Sequence, residues 1–74
     1  MKNIYLLKDL SRTTGHSTHT VKYYLRIGLV SEIGRSPETN FRYFDDSTVK
    51  RLKRIRELRS KGYSLKEVSE RLKQ

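Results

Sequence analysis

A cluster of short polar, basic and aromatic side chains follows the first glycine of the sequence and is the group best suited to chemistry. Hydroxyl, imidazole and ammonium groups can bond to base edges in the major groove of DNA, and cationic or phenolic groups can bond to backbone phosphates. On a helix, Thr18, His19 and Lys22 are expected near bases. Thr20, Tyr23 and Arg26 are expected nearer phosphate. The alternative is an ordinary solvated helix face, with Tyr23 packed locally.

A second basic group lies in the turn-rich segment that follows. Arg35 lies in the stretch 34–40, which holds the only proline, and Arg42 stands between Phe41 and Tyr43. A basic hairpin beside a recognition helix can reach the DNA backbone beyond the groove, where phosphate contacts set register and give salt-dependent affinity. The alternative is that the aromatic residues belong to the core, which we expect for Phe44 and leave open for Phe41.

A third basic group occupies a long helical segment, where one acidic residue, Glu57, stands among many cations. These cations are Lys50, Arg51, Lys53, Arg54, Arg56, Arg59 and Lys61. Most of them are expected to form a solvated face that adds general attraction to DNA. Arg54 is the foremost candidate for a direct contact with the DNA backbone.

No residue pattern supports metal binding or catalysis. His16 and His19 have a helical spacing, but the turn at Gly15 interrupts the helix and no third ligand is near. Asp9, Glu32 and Glu38 form no evident acid–base pair, and no serine or threonine has an identifiable base. We therefore expect no enzyme activity, no metal and no cofactor.

Composition points to a polyanionic partner. The chain has 74 residues, with 17 Lys and Arg against 8 Asp and Glu, which gives a net charge of +9. Such a field attracts nucleic acid. The sequence lacks cysteine, as suits a reducing compartment, and lacks an apolar run near the roughly 20 residues that span a bilayer. We expect a single domain over residues 1–74 that binds double-stranded DNA in the cytoplasm, associated with the nucleoid and not with a membrane.

The elements that must position these groups can be predicted from periodicity and caps. Apolar spacing and terminal glycines predict a first helix over about 6–14 and a second that starts after Ser17 and closes at Gly28, so that a helix-turn-helix covers about 6–27. Asp45 and Asp46 are good caps for a third helix over about 46–61, and Ser64 with Glu67 fits a capping box for a fourth over about 65–73.

A hairpin is predicted between the second and third helices. Leu29, Val30 and Ile33 indicate a first strand, and the aromatic segment 41–44 indicates the returning strand, so that the hairpin spans about 30–44. The expected fold class is mainly α with a small β-hairpin wing, a winged helix-turn-helix. In this fold the buried stripe of the third helix is Val49, Leu52, Ile55 and Leu58.

The order of these parts resembles the N-terminal domain of MerR-type transcription regulators over nearly the whole chain. The matching parts are the segments 5–10, 14–17, 20–24, 28–30, 40–45 and 62–67, with Arg51-Leu52, Ile55 and Leu58 between the last two. The resemblance implies that residues matching Ser17 to Lys22 face the major groove. It also implies that Tyr23, Arg42 and the aromatic matching Phe41 contact the DNA backbone. The candidate DNA contacts are then Ser17, Thr18, His19, Thr20, Lys22, Tyr23, Arg26, Arg35, Asn40, Phe41, Arg42 and Arg54.

The sequence departs from the family pattern in several places. Leu6 stands where a small polar cap is usual, and Phe41 lacks the hydroxyl that a tyrosine would offer to phosphate. Family members usually dimerise on palindromic promoter sites through a longer C-terminal helix, so a homodimer is expected if the native chain has that helix. An effector is not assignable. Leu25 and Tyr63 are expected to be exposed apolar positions that a missing partner would cover.

Two other functions remain open at this point. The short chain also suits an excisionase-like architectural protein that bends DNA and assists recombination. The basic third helix could instead serve a protein-interaction or membrane-surface module, although its apolar stripe is needed inside the fold.

Overall fold

A computed structural model of the chain describes residues 3–73, and its first two helices form the expected helix-turn-helix. Helix α1 spans Leu7–Thr14 and helix α2 spans Thr18–Arg26. The turn between them depends on Gly15, whose φ of 80° places it in the left-handed region, and on Ser17, whose side chain accepts a hydrogen bond from the backbone N–H of Thr20 at 3.1 Å.

Two further helices follow, close to the predicted bounds. Helix α3 spans Asp46–Ser60 and starts at Asp45, whose side chain accepts from the Ser47 N–H at 3.0 Å. Helix α4 spans Leu65–Leu72. It begins with the predicted capping box, because Ser64 and Glu67 each accept a hydrogen bond from the other's backbone N–H.

The sheet is where the structure differs most from the prediction. Strands β1 (Tyr5–Leu6), β2 (Gly34–Arg35) and β3 (Arg42–Phe44) form an antiparallel sheet in the order β1-β3-β2. The predicted strand over Leu29, Val30 and Ile33 is wrong, and the hairpin starts at Gly34; we call residues 34–44 the wing. Strand β1 was not predicted, because its two residues gain their hydrogen bonds only by pairing with β3, far along the chain.

The apolar residues Leu29 and Val30 are core residues of a turn and not part of a strand. Both are buried in the main cluster, and the Leu29 and Val30 N–H groups bond to the Tyr24 carbonyl at 2.9 and 3.4 Å. The segment is therefore a buried turn that ends α2. The Arg51 Nε of α3 donates to the Leu29 carbonyl at 2.6 Å and fixes this turn against α3.

One apolar cluster joins all four helices with β3. The predicted stripe of α3 is confirmed as buried, as is Phe44, and the cluster also takes in Leu10, Val21, Tyr24 and Val68. The expectation for Leu25 and Tyr63 was wrong, because both are partly buried and pack against this cluster.

His16 connects the helix-turn-helix to α3. Its Nε2 lies 3.0 Å from the Leu52 carbonyl, and its ring meets that of Tyr24 edge-on, with ring centroids 5.7 Å apart. The side chain is half-buried, so the turn residue expected from the sequence is also a tertiary contact.

Candidate nucleic-acid interface

A cleft of about 580 Å³ separates the start of α1 and α2 from the wing. Its lining brings together six of the residues singled out in the sequence with three others. The nine are Leu6, Leu7, Lys8, Thr18, Lys22, Arg35, Asn40, Phe41 and Arg42. The residues are contributed by the N-terminal segment, the second helix and the wing, so the cleft exists only in the folded chain.

Helix α2 contributes two side chains at helical spacing. Thr18 and Lys22 are four residues apart, so they lie one above the other on the same face. Both are exposed, whereas Val21 and Tyr24 of the same helix are buried. Burial of Val21 and Tyr24 fixes the rotation of the helix, and Thr18 and Lys22 line the cleft on an adjoining face.

The wing supplies the opposite wall through its tight turn. The Ser36 N–H bonds to the Phe41 carbonyl at 2.9 Å and the Asn40 N–H bonds to the Ser36 carbonyl at 2.7 Å. Asn40 has a φ of 61°, a left-handed conformation that asparagine tolerates better than most residues. The turn leaves the Phe41 ring 61% exposed, so Phe41 is a surface residue of the cleft and not part of the core.

The charge of the cleft is one-sided. Four of its lining residues are cations, namely Lys8, Lys22, Arg35 and Arg42, and none is acidic. Glu32 lies behind the two wing arginines, with carboxylate oxygens 2.5 Å from the Arg35 Nε and 3.2 Å from the Arg42 Nε. A lining that combines these cations with the apolar residues Leu6, Leu7 and Phe41 suits a polyanion that also carries apolar groups, as a nucleic-acid backbone does.

The other predicted residues lie outside this cleft. Ser17 and Thr20 form the cap of α2, with their hydroxyl oxygens 2.9 Å apart. His19 and Arg26 are exposed on α2, and Tyr23 is 42% exposed beside Tyr24. Arg54 is exposed on α3 and its Nη1 lies 2.5 Å from a Glu57 carboxylate oxygen. Ser17 and Thr20 are thus engaged in the cap of α2. Of the other predicted residues outside the cleft, Arg54 forms an ion pair.

Sequence reasoning missed Lys8 and Glu32. Lys8 stands in the first turn of α1 as an isolated cation, and only the pairing of β1 with β3 brings that turn beside the wing. Glu32 precedes Arg35 by three positions and Arg42 by ten. Its contact with both arginines forms only because they lie opposite each other in the sheet. The short spacing of Glu32 and Arg35 was the one feature of the sequence that could have indicated an ion pair.

Within residues 3–73, no group of three or more His, Cys, Asp or Glu side chains could hold a metal ion. No helix within those bounds has the length and apolar character needed to cross a bilayer.

Comparison with known proteins finds similarity to transcription regulators. It matches the model of MerR HTH family regulatory proteins over residues 5–74. It is 34% identical over 64 residues to the heavy metal-dependent transcription regulator 2 of Rhizobium meliloti (strain 1021), covering 86% of this chain and 43% of that protein. It is 31% identical over 68 residues to the mercuric resistance operon regulatory protein of Bacillus cereus, covering 92% and 51%. The chain thus spans about half the length of these relatives.

Solved structures have the same fold. A MerR family transcriptional regulator from Bacillus cereus superposes with a TM-score of 0.91 at 18% identity, over 97% of this chain and 53% of that one. HiNmlR, a MerR family regulator that lacks the sensor domain and was crystallised bound to promoter DNA, superposes with a TM-score of 0.81 at 26% identity, over 92% and 51%. These matches give the excisionase-like alternative no support. Because the family model covers almost the full sequence, this chain belongs to the MerR HTH family.

Proposed function

We propose that this chain is the DNA-reading head of a MerR-type transcription regulator and binds duplex DNA sequence-specifically. The observation that carries the proposal is the cleft, where α1, α2 and the wing present Lys8, Lys22, Arg35 and Arg42 toward one space. A helix fits the major groove of B-DNA, which is about 12 Å wide, and a neighbouring wing then meets the flanking backbone. The structural neighbour HiNmlR, which is bound to promoter DNA, supports duplex DNA as the partner.

The residues divide into two groups by their reach. Thr18, His19 and Lys22 near the start of α2 read base edges, with Ser17 at the helix cap beside them. Backbone phosphates are bound by the remaining candidates, which are Thr20, Tyr23, Arg26, Arg35, Asn40, Arg42 and Arg54. Phe41 has no hydroxyl, so its exposed ring makes apolar contact with the sugar edge of the backbone.

We extend the proposal from this DNA-binding part to the whole protein. We propose that two copies bind a palindromic promoter site, with half-sites spaced by about 34–36 Å or a multiple of it, as for other two-fold symmetric helix-turn-helix proteins. A DNA regulator of this kind acts in the bacterial cytoplasm, at the nucleoid. The proposed role is regulatory and not enzymatic.

The test begins with selection of bound fragments from a random duplex library. The proposal predicts enrichment of one motif, arranged as an inverted repeat when the full-length protein is used. It also predicts an affinity that falls steeply with salt, because each neutralised phosphate releases counterions. Recovery of no enriched motif would overturn sequence-specific binding, and enrichment of direct repeats would overturn the palindromic arrangement.

Variants then test the reading surface. Lys22→Ala should weaken binding to the selected duplex by roughly 5- to 150-fold, the loss expected for one base-reading contact. Arg42→Ala should weaken binding and lower the salt slope by about 1. Lys53→Ala serves as the control, because Lys53 is exposed on α3 and does not line the cleft. If both cleft variants behaved like Lys53→Ala in fluorescence-anisotropy titrations, the assignment of the reading surface would be wrong.

A further inference from the structure

Glu32 lies between the two arginines of the wing and contacts both. Resting on the proposed function, we propose that Glu32 is a positioning residue for DNA recognition, which holds Arg35 and Arg42 in the orientation that fits backbone phosphates in the sequence-specific complex. The wing then favours DNA on which the protein lies in its sequence-specific register over DNA of any other sequence, instead of adding positive charge alone.

The sheet register creates the need for this carboxylate. Arg35 of β2 and Arg42 of β3 are directly opposite each other in the antiparallel ladder. Like charges at such positions repel each other and push the side chains apart. Glu32 places one carboxylate oxygen on each arginine, at 2.5 Å from the Arg35 Nε and 3.2 Å from the Arg42 Nε. The single carboxylate therefore converts a repelling pair into a three-residue network.

The contacts with Glu32 leave the terminal N–H donors of both guanidinium groups available. Both contacts are made through Nε, whereas the guanidinium has five N–H donors, four of them on the terminal Nη atoms. Within residues 3–73, Glu32 accepts a hydrogen bond from the Arg35 guanidinium and forms an ion pair with that of Arg42, and no other side chain or carbonyl accepts a hydrogen bond from either. The Nη edges thus remain for a phosphate, which the planar group can bind in a bidentate geometry only when its orientation is fixed.

The exposure of the three side chains agrees with a positioning role. Glu32 is 27% exposed, and Arg35 and Arg42 are 43% and 38% exposed, so the carboxylate lies deeper than the guanidiniums. A long cationic side chain loses rotamer freedom when it binds a partner, and prior anchoring of Nε removes part of that cost. The anchoring also neutralises part of the wing's charge, which lowers attraction to DNA of any sequence.

These two effects have opposite signs on the two kinds of binding. Non-specific binding depends on net charge through counterion release, so loss of Glu32 should strengthen it. Specific binding depends on phosphate contacts that fix the register of the protein on its site, so loss of Glu32 should weaken it. The ratio of the two affinities is the quantity that reports positioning.

The wing itself provides a matched control. Glu38 lies in the turn of the wing, is exposed, and forms no ion pair within the described part of the chain. Glu38→Gln removes the same charge as Glu32→Gln, at a position in the wing close to Glu32 in sequence. Glu32→Asp supplies the complement, because it keeps the charge but shortens the side chain by one methylene, so that one carboxylate no longer reaches both arginines.

The experiment measures Kd for the library-selected duplex and for a scrambled duplex of equal length. Glu32→Gln should lower the ratio of specific to non-specific affinity by about tenfold, as expected for loss of one oriented charge-assisted contact. Glu32→Asp should also lower it, and Glu38→Gln should leave it unchanged. In an Arg35→Gln, Arg42→Gln background, adding Glu32→Gln should have no further effect on the ratio, because Glu32 acts through the arginines.

Three results would overturn the inference. The first is a ratio for Glu32→Gln that matches that of Glu38→Gln, which would assign to Glu32 a charge effect only. The second is a wild-type ratio for Glu32→Asp, which would show that neutralisation suffices. The third is an equal loss with and without the two arginines, which would assign Glu32 a general structural role. Failure of the proposed function gives a different result, since the wild-type chain would then not distinguish the two duplexes.

Discussion

Gly15 makes the turn between α1 and α2 with a backbone angle that other residues rarely adopt. Its φ is 80°, and its N–H donates to the Ser11 carbonyl at 3.0 Å, which closes α1. A Cβ at this position would lie 2.7 Å from the Arg56 Nη1, at the flexible end of that side chain. Gly28 has nearly the same φ, 79°, but a Cβ there would meet nothing within 4 Å. A side chain at Gly28 would thus cause backbone strain alone, whereas a side chain at Gly15 would also contact Arg56.

Alanine substitution at the two glycines should therefore have nearly the same effect. Gly15→Ala and Gly28→Ala should each lower the free energy of unfolding by about 1–2 kcal/mol, the strain of one left-handed alanine. The Arg56 guanidinium can swing aside, so the two values should agree within about 0.5 kcal/mol. Urea denaturation followed by circular dichroism measures both. A much larger loss for Gly15→Ala would mean that Arg56 is fixed in place over the turn.

At the scale of elements, α4 depends on its first turn. The helix has eight residues, which is too short to be stable alone. The Ser64 hydroxyl accepts from the Glu67 N–H at 3.2 Å and the Glu67 carboxylate accepts from the Ser64 N–H at 3.0 Å. These hydrogen bonds lower the pKa of Glu67, because they favour the charged carboxylate. The box and the burial of Val68 together hold α4 on α3.

Removing the cap should destabilise the chain measurably. Ser64→Ala should lower the free energy of unfolding by about 1 kcal/mol, since an orphan N–H at the start of α4 loses its acceptor. Ser60→Ala is the matched control, because the Ser60 hydroxyl bonds only to the Glu57 carbonyl within the same helix. Alanine favours the helix there, so its effect should stay within about 0.5 kcal/mol. Thermal melts of the two variants give the comparison, and an equal loss in both would contradict the capping argument.

At the scale of the whole molecule, the N-terminal segment is tied to the middle of the chain. Tyr5 pairs with Phe44 in the sheet, and its hydroxyl donates to the Asp46 carboxylate at 2.6 Å, with Asn3 donating to the same group at 3.3 Å. The Tyr5 hydrogen bond, aided by Asn3, lowers the pKa of Asp46, and the same contact raises the pKa of Tyr5. This contact keeps Leu6, Leu7 and Lys8 beside the wing.

The pKa directions predict how the stability from this contact varies with pH. Because the pKa of Asp46 is lowered on folding, its contribution is present above about pH 4 and is lost as pH falls through the lowered value. Because the pKa of Tyr5 is raised, its contribution is present below about pH 10 and is lost as pH rises beyond that. The difference in Tm between wild type and Tyr5→Phe should thus be largest from about pH 5 to 9 and shrink at both ends.

The same hydroxyl deletion elsewhere provides the control. Tyr63→Phe keeps the ring that lies 4.1 Å from the Arg71 guanidinium and removes a hydroxyl that does not bond to Asp46. Its Tm difference from wild type should not vary in the same way with pH. A flat pH profile for Tyr5→Phe would contradict the coupling of β1 to α3.

Residues near each other in sequence were predictable. Ser17, Gly15, Asp45 and the Ser64–Glu67 pair lie at helix ends because caps and left-handed glycines act within a few residues. The buried stripe of α3 follows from helical periodicity. For the cleft, Thr18, Lys22, Arg35, Asn40, Phe41 and Arg42 were named from residue type, element and the family resemblance, although their meeting in one space was not.

The sequence by itself therefore determined the helices, their ends, the basic character of the chain and its resemblance to the MerR type. Only the tertiary structure decided the pairing of β1 with β3, the start of the wing at Gly34, the burial of Leu25 and Tyr63, and the places of Lys8 and Glu32. The physical reason is distance along the chain. Caps and helical stripes depend on neighbours within one or two turns, whereas strand pairing and charge networks depend on residues that meet only after the core has formed.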